Sequence, residues 1–287
     1  MDLPADSHVH SEWSWDTGGP RSLARGTMQR TCERALKIGL PAVIFTEHLD
    51  FDGWEIGPQD TIDTIRPLIT PEGILDVPTL DVAGYLDSID QCRRQFPSLQ
   101  ILTGVEFGQP HLFDTRAAAL FDLAGLDLSE LDRVNGSLHT LQNGAQRSEP
   151  ITLFRLWPAD QVMWEYLAEI PRMVAASDSF SVFTHIDYAV RAWPVAEVGP
   201  FDPRQFEEGF RHAMRALADG GRALEMNTRR LWSWVPQWWS EEGGRAITFG
   251  SDTHAVDDLA GRFPEAMAMV EHYGFRPGRK PQDFWIR

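Results

Sequence analysis

Six of the nine histidines fall into one pattern: His8, His10, His48, His139, His185 and His254 each stand at or near the end of a short apolar run. Two carboxylates, Glu106 and Asp252, do the same. Imidazole nitrogen and carboxylate oxygen without thiolate make a ligand set for zinc, manganese or iron rather than for an iron–sulfur cluster or copper(I). One histidine so placed is ordinarily a hydrogen-bonded core residue. Eight ligand-type residues at the ends of several runs converge on one place if those ends share a face. The spacing supports convergence: His8 and His10 are two apart, so on a strand both side chains leave the same face, and Asp252 and His254 repeat the relation. His111, His212 and His272 fall in a loop and in helical stretches and are read as structural.

Positioning these residues requires strands, and seven candidate runs recur: Ala5–His10, Pro41–His48, Gln100–Gly108, Arg133–Leu141, Phe180–Tyr188, Arg222–Thr228 and Ala246–His254. Most are rich in Val, Ile, Leu or Phe, as strands buried on both faces must be. Helical patterns lie between them, at Ser22–Ile38, Leu80–Phe96, Pro158–Ala175, Pro203–Asp219 and Val256–Tyr273. The first opens with a serine cap and stops before Gly39, where a left-handed residue ends a helix. Strands alternating with helices predict a parallel α/β architecture. Seven such units predict a TIM-barrel-like barrel rather than a small open sheet, with the ligand-type residues on the face formed by the C-terminal strand ends. No linker-like composition divides the chain, so residues 1–287 are expected to form a single domain. Phe51–Pro78 carries Gly and Pro without periodicity and is expected to be a long functional loop.

Composition narrows the function. Of 287 residues, 43% are apolar and 24% charged, which excludes a disordered chain. The net charge of −16 argues against a nucleic-acid backbone as partner. All the cations except Lys37 and Lys280 are arginines, so a phosphate clamp would be built from arginine. The start, MDLPADSHVH, has no basic or apolar region of a signal peptide, and no run is long enough to span a bilayer. With only Cys32 and Cys92, both in helical patterns, a disulfide framework is excluded and a cytoplasmic location is expected.

The motifs resemble the PHP (polymerase and histidinol phosphatase) superfamily, in order and over about residues 6 to 260: DSHVHSEWSWDT, FTEHLDF, TGVEFG, NGSLHTL, FTHIDY, EMNT and FGSDTHAVDDL. The resemblance implies a distorted (β/α)7 barrel carrying a centre of up to three divalent ions. His8, His10, Glu106 and Asp252 would hold the first. Glu106 would bridge to the second, completed by His139 and His185. Asp16, His48 and His254 would hold the third. Asp16, six residues after His10, is similar in placement to the histidinol-phosphatase branch. Two features depart from that branch: Thr140 follows His139 where a second histidine is frequent, and LWSWVPQWW follows Arg229 and Arg230 where a simpler continuation is usual.

The expected activity is metal-dependent phosphomonoester hydrolysis of a small substrate, with histidinol phosphate of histidine biosynthesis the first candidate. Glu106, Asp252 and His254 would form the catalytic core. The alternatives are another small phosphate ester or nucleotide, and a metal-binding module without turnover. Arg191 and the pair Arg229 and Arg230 are placed to grip phosphate bidentately. Glu225, two before Asn227, is the candidate for a substrate amine; orienting a ligand or an ordinary structural bond would explain it equally. Glu47 and Asp187 flank ligand histidines and are candidate partners for their second ring nitrogens. Trp232, Trp234, Trp238 and Trp239 lie within eight residues among polar neighbours, so a lid or a subunit contact stands as an alternative to core packing, the commonest use of tryptophan.

Overall fold

The apolar runs become the staves of one strongly curled sheet. In a computed structural model describing residues 3–19 and 26–287, seven parallel strands follow one another in chain order. They are β1 Asp6–Val9, β2 Ala42–Leu49, β3 Gln100–Gly108, β4 Arg133–Ser137, β5 Val182–Phe183, β6 Ala223–Asn227 and β7 Ala246–Gly250. An eighth, β8 Trp285–Ile286, pairs antiparallel to β7. Residues 42–45 are fully buried, as a strand covered on both faces requires. The sheet bends until its two ends meet at the rim. Asp252 N–H donates to His8 O at 2.8 Å, and His10 N–H donates to Thr253 O at 3.0 Å. The distorted seven-unit barrel is thus observed, closed where β1 meets the segment after β7.

Two strands stop earlier than their apolar runs suggest, for the same physical reason. Phe180–Tyr188 yields only Val182–Phe183, because the His185 N–H is taken by a side chain, Glu225 Oε2 at 2.8 Å. Arg133–Leu141 ends at Ser137, and the His139 N–H is taken by Gln109 Oε1 at 2.7 Å. In each case the ladder gives way where a ligand-type histidine must turn into the barrel mouth.

The helices pack outside. Met28–Ile38 starts at a Thr27 cap and ends at Gly39, whose φ of 71° is left-handed. The expected start at Ser22 lies outside the described residues. Val82–Gln95, Ala159–Ala176, Glu207–Asp219 and Phe263–His272 occupy four other expected stretches, with short 3-10 turns at Pro203–Phe206 and Val256–Asp258 taking over the first residues of the last two. Pro110–Leu123 is a helix with no clear apolar stripe: it buries Pro110, Ala117 and Phe121 but exposes Leu112 and Leu123. No helix among the described residues is long and apolar enough to cross a membrane.

In the tryptophan-rich stretch the structure favours core packing over a lid. The stretch forms the helix Trp234–Glu241, in which Trp234, Trp238 and Trp239 are buried, and Trp234 packs on Phe210 at 4.6 Å between ring centroids. Gln237 between them is half-buried and Ser233 just before the helix is exposed, so the helix contributes to the core and not to a lid. Phe51–Pro78 is likewise more ordered than a loop. Trp54–Glu55 and Ile74–Leu75 join Leu141–Asn143 and Gln146–Ser148 in a four-stranded sheet beside the mouth. Its apolar nucleus is Trp54, Ile56, Ile65 and Leu75.

Candidate metal centre

β1 places His8 and His10 on one face with their Nε2 atoms 3.0 Å apart. Two imidazole nitrogens that close need a proton or a cation between them. Glu106, near the end of β3, divides its carboxylate between two groups. Its Oε2 lies 3.3 Å from both of those nitrogens and 3.2 Å from His48 Nδ1. Its Oε1 lies 2.6 Å from His185 Nε2 and 3.1 Å from His139 Nε2. Asp252 Oδ1 closes the first group, 3.8 Å from His8 Nε2 and 3.6 Å from His10 Nε2. Above it, Asp16 Oδ2 is 2.8 Å from His254 Nε2 and 3.8 Å from His48 Nε2. All nine residues named from the sequence and the resemblance are therefore brought together. Asp252 adopts a left-handed backbone, φ 52°, a strained conformation for a non-glycine residue that is held by the bond from its N–H to β1.

Partners on the opposite ring nitrogens fix how the imidazoles point. His8 Nδ1 meets Glu225 Oε1 at 2.6 Å, while Glu225 Oε2 also accepts from Asn227 Nδ2. His10 Nδ1 meets Ser14 Oγ at 2.9 Å, and Ser14 donates to Glu47 Oε2 at 2.6 Å. Ser14 spends its proton on Glu47, so it accepts from His10 Nδ1–H, which leaves Nε2 as the ligand lone pair. His139 Nδ1 meets Asp50 Oδ1 at 3.3 Å.

This revises three expectations. Glu225 is buried beneath His8 with both oxygens engaged, so it orients ligands and does not face a substrate amine. Glu47 acts one step removed, through Ser14. Asp187 accepts from Trp232 Nε1 at 3.0 Å and has no bond to His185. Asp50 was not singled out from the sequence. Its spacing of two from His48, the relation shared by Asp252 and His254, was the available signal.

Electrostatics suit a cation. Burial alone would raise the Glu106 carboxyl, but the facing imidazoles of His8, His139 and His48 hold it well below its ordinary value. Burial, with His254 and His48 nearby, pushes His10 well below the usual imidazole range, which keeps it neutral. His185 Nδ1 and Asp16 Oδ1 are buried without hydrogen-bond partners. Donor triads that close to within 4.8 Å are His8–His10–Asp252, His8–Glu106–His185, His10–His48–His254 and His48–Asp50–His139. The residues fit a centre of more than one divalent ion, and the nitrogen–oxygen donor set suits zinc, manganese or iron.

A cavity of about 140 Å³ opens over this cluster. Arg191 lines it and pairs with Asp252 Oδ2 at 2.8 Å, while its Nε and Nη2 are buried without partners. Arg229, half-exposed, lines it too, with Nη1 3.6 Å from Asp252 Oδ2. Arg230 instead bonds the carbonyls of Val190 and Arg191 and does not line this cavity. Trp15, Trp54, Glu149 and Tyr188 complete its lining, and the sequence singled out none of them.

The family described as PHP domain matches residues 6–229. Asp252 and His254 lie beyond that match and reach the site through the closed rim. A Clostridium acetobutylicum protein named probable histidinol-phosphatase is 24% identical over 280 residues, covering 95% of this chain and 94% of its own. The fold is similar to the crystal structure of histidinol phosphate phosphatase from Lactococcus lactis, solved with zinc, L-histidinol and phosphate. That likeness has a TM-score of 0.72 and 23% identity, covering 96% of this chain and 95% of that one. A second solved structure, from Listeria monocytogenes, gives a TM-score of 0.66 at 14% identity, covering 91% and 99%.

Proposed function

Because the chain belongs to the PHP domain family, we propose that it is a metal-dependent phosphomonoesterase whose substrate is histidinol phosphate. The observation that carries the reading is Glu106, one oxygen turned to His8 and His10 and the other to His139 and His185, beneath a cavity that Arg191 lines. Relatives named for histidinol phosphate, alike over nearly their whole length, support the substrate.

Divalent ions held there would supply an acidified water near neutral pH and positive charge against the phosphate oxygens. His8, His10, Glu106 and Asp252 would hold one ion, and Glu106, His139 and His185 a second. Asp16, His48 and His254 would hold a third. Arg191 brings two unpaired N–H groups to the phosphate, and Arg229 adds charge from the rim. Glu225, Ser14 and Asp50 keep the imidazoles aimed. Glu106, Asp252 and His254 form the proposed catalytic core.

The test is a substrate panel with the metal-loaded protein. The expected kcat/KM for histidinol phosphate exceeds those for p-nitrophenyl phosphate, glycerol phosphate and nucleoside monophosphates by ~10²-fold. Faster cleavage of a nucleotide or sugar phosphate would remove the substrate assignment and leave the hydrolytic chemistry standing. No turnover of any ester by protein with a full metal complement would favour a binding module instead.

A further inference from the structure

The mouth cavity is lined by two kinds of side chain. Some belong to the metal-ligand cluster, with Arg191 and Arg229. The others are Trp15, Trp54, Tyr188 and Glu149. The carboxylates Asp16, Glu106 and Asp252 are all engaged with ligand histidines. Glu149 is the lining carboxylate that no ligand group uses. It stands at the N-cap of the helix Pro150–Leu156, yet its side chain makes no capping bond. The carboxylate turns instead to Tyr188, whose Oη donates to Glu149 Oε1 at 2.7 Å. The Trp54 indole N–H lies beside it without closing a hydrogen bond. Both of these neighbours are neutral, and burial raises the Glu149 carboxyl above its ordinary value, opposed in part by the Tyr188 bond and the nearby His139 imidazole. A carboxylate in this setting lacks a cation.

Position says where that cation would come from. The Tyr188 ring lies 5.1 Å from the rings of both His139 and His185. Glu149 is thus one phenol ring away from the metal ligands, the span of a short alkyl chain. Trp15 and Trp54 meet edge to face at 5.6 Å and give that chain an apolar, aromatic wall. Resting on the phosphatase reading above, we propose that Glu149, held by Tyr188, binds an ammonium group on the leaving alcohol and so selects cationic phosphate esters over neutral ones. The four-stranded sheet beside the barrel carries this wall: Trp54 lies on one strand, and Glu149 directly follows another, with Glu55 and Ser148 paired between them.

Paired esters test it: histidinol phosphate and phosphoethanolamine as cationic substrates, propyl phosphate as the neutral one. The readout is the ratio of kcat/KM, cationic over neutral, in a single preparation of metal-loaded protein. A ratio is unaffected by the fraction that is folded. Glu149→Gln is expected to lower it at least ~30-fold, with turnover of propyl phosphate within a few-fold of the parent. Tyr188→Phe, which frees the carboxylate but keeps its charge, is expected to lower the ratio less. A cation preference that survives Glu149→Gln overturns the subsite and leaves the substrate reading intact. A parent that prefers phosphoethanolamine to histidinol phosphate, and loses that preference in the variant, overturns the substrate and supports the subsite. No cation preference in the parent, or equal loss on both ester classes, overturns the subsite.

Discussion

Glu106 has five imidazole nitrogens within 3.3 Å of its two oxygens, and no other residue of the site is shared so widely. Glu106→Gln keeps the shape and removes the charge that balances the cluster. Metal analysis is expected to show loss of the ions on both sides, and kcat to fall at least ~10²-fold; near-normal turnover would show that the carboxylate is not a bridge. Glu47 tests the support beneath the ligands. Burial raises its carboxyl from 4.5 to about 7, only partly opposed by hydrogen bonds from Ser11 and Ser14. A carboxyl raised on folding takes up a proton, so its contribution to stability is whole below pH 4.5 and lost as pH climbs through 7. In chelator-treated protein, the stability of Glu47→Gln relative to the parent is therefore expected to rise between pH 4.5 and 7.5, by up to ~3 kcal/mol in denaturant titrations. A flat difference would contradict the shift. At this scale the ligands were legible because histidine and carboxylate are rare at the ends of apolar runs. Glu225, Asp50 and Glu149 were not. What separates a carboxylate that faces a substrate from one that props an imidazole is which neighbour its oxygens meet, and those neighbours are far away in sequence.

The elements were legible where burial alone shapes them. β2 and β3 follow their apolar runs to within a residue at the start and the end. Legibility failed at β4 and β5, where a side chain replaces a strand in accepting a backbone N–H, since hydropathy carries no trace of that exchange. It failed again for Trp234–Glu241, where interleaved Ser, Pro and Gln disguise a buried face, and for Pro110–Leu123, which exposes leucines. The tight fit of β6 against β7 yields a prediction. A Cβ on Gly250 would collide with Glu225 Oε1 and lie 2.6 Å from the His8 Cβ. Gly250→Ala must push Glu225 off His8 Nδ1. Metal retained after dialysis and kcat/KM are both expected to fall ~10–10²-fold, the scale of losing an orienting partner. Unchanged metal retention would mean that Glu225 does not set the ligand.

For the molecule as a whole, the centre concentrates buried acid and imidazole where only cations would balance them. Stripping the metal is expected to lower the calorimetric Tm by roughly 5–15 °C, with recovery on adding back zinc or manganese. A Tm indifferent to chelator would argue that these side chains hold no ion. Elemental analysis is expected to give at least two ions per chain. The Asp16–His48–His254 position should empty first, since its side chains are 11–24% exposed whereas Glu106 and Asp252 are 1% and 5% exposed. The closed rim also governs when the centre can exist. β1 carries His8 and leads straight into His10, but the backbone that locks it in place arrives with Asp252 and Thr253, close to the other end of the polypeptide. During synthesis a nascent chain still tethered to the ribosome after β6 has emerged holds most of its ligands on an open sheet, with its first strand unpinned. Contacts this distant in sequence form late. Filling of the two positions that need Asp252 or His254 is thus expected to wait for the end of the polypeptide, and a message truncated beyond Asn227 is expected to yield a product with only the Glu106, His139 and His185 position complete.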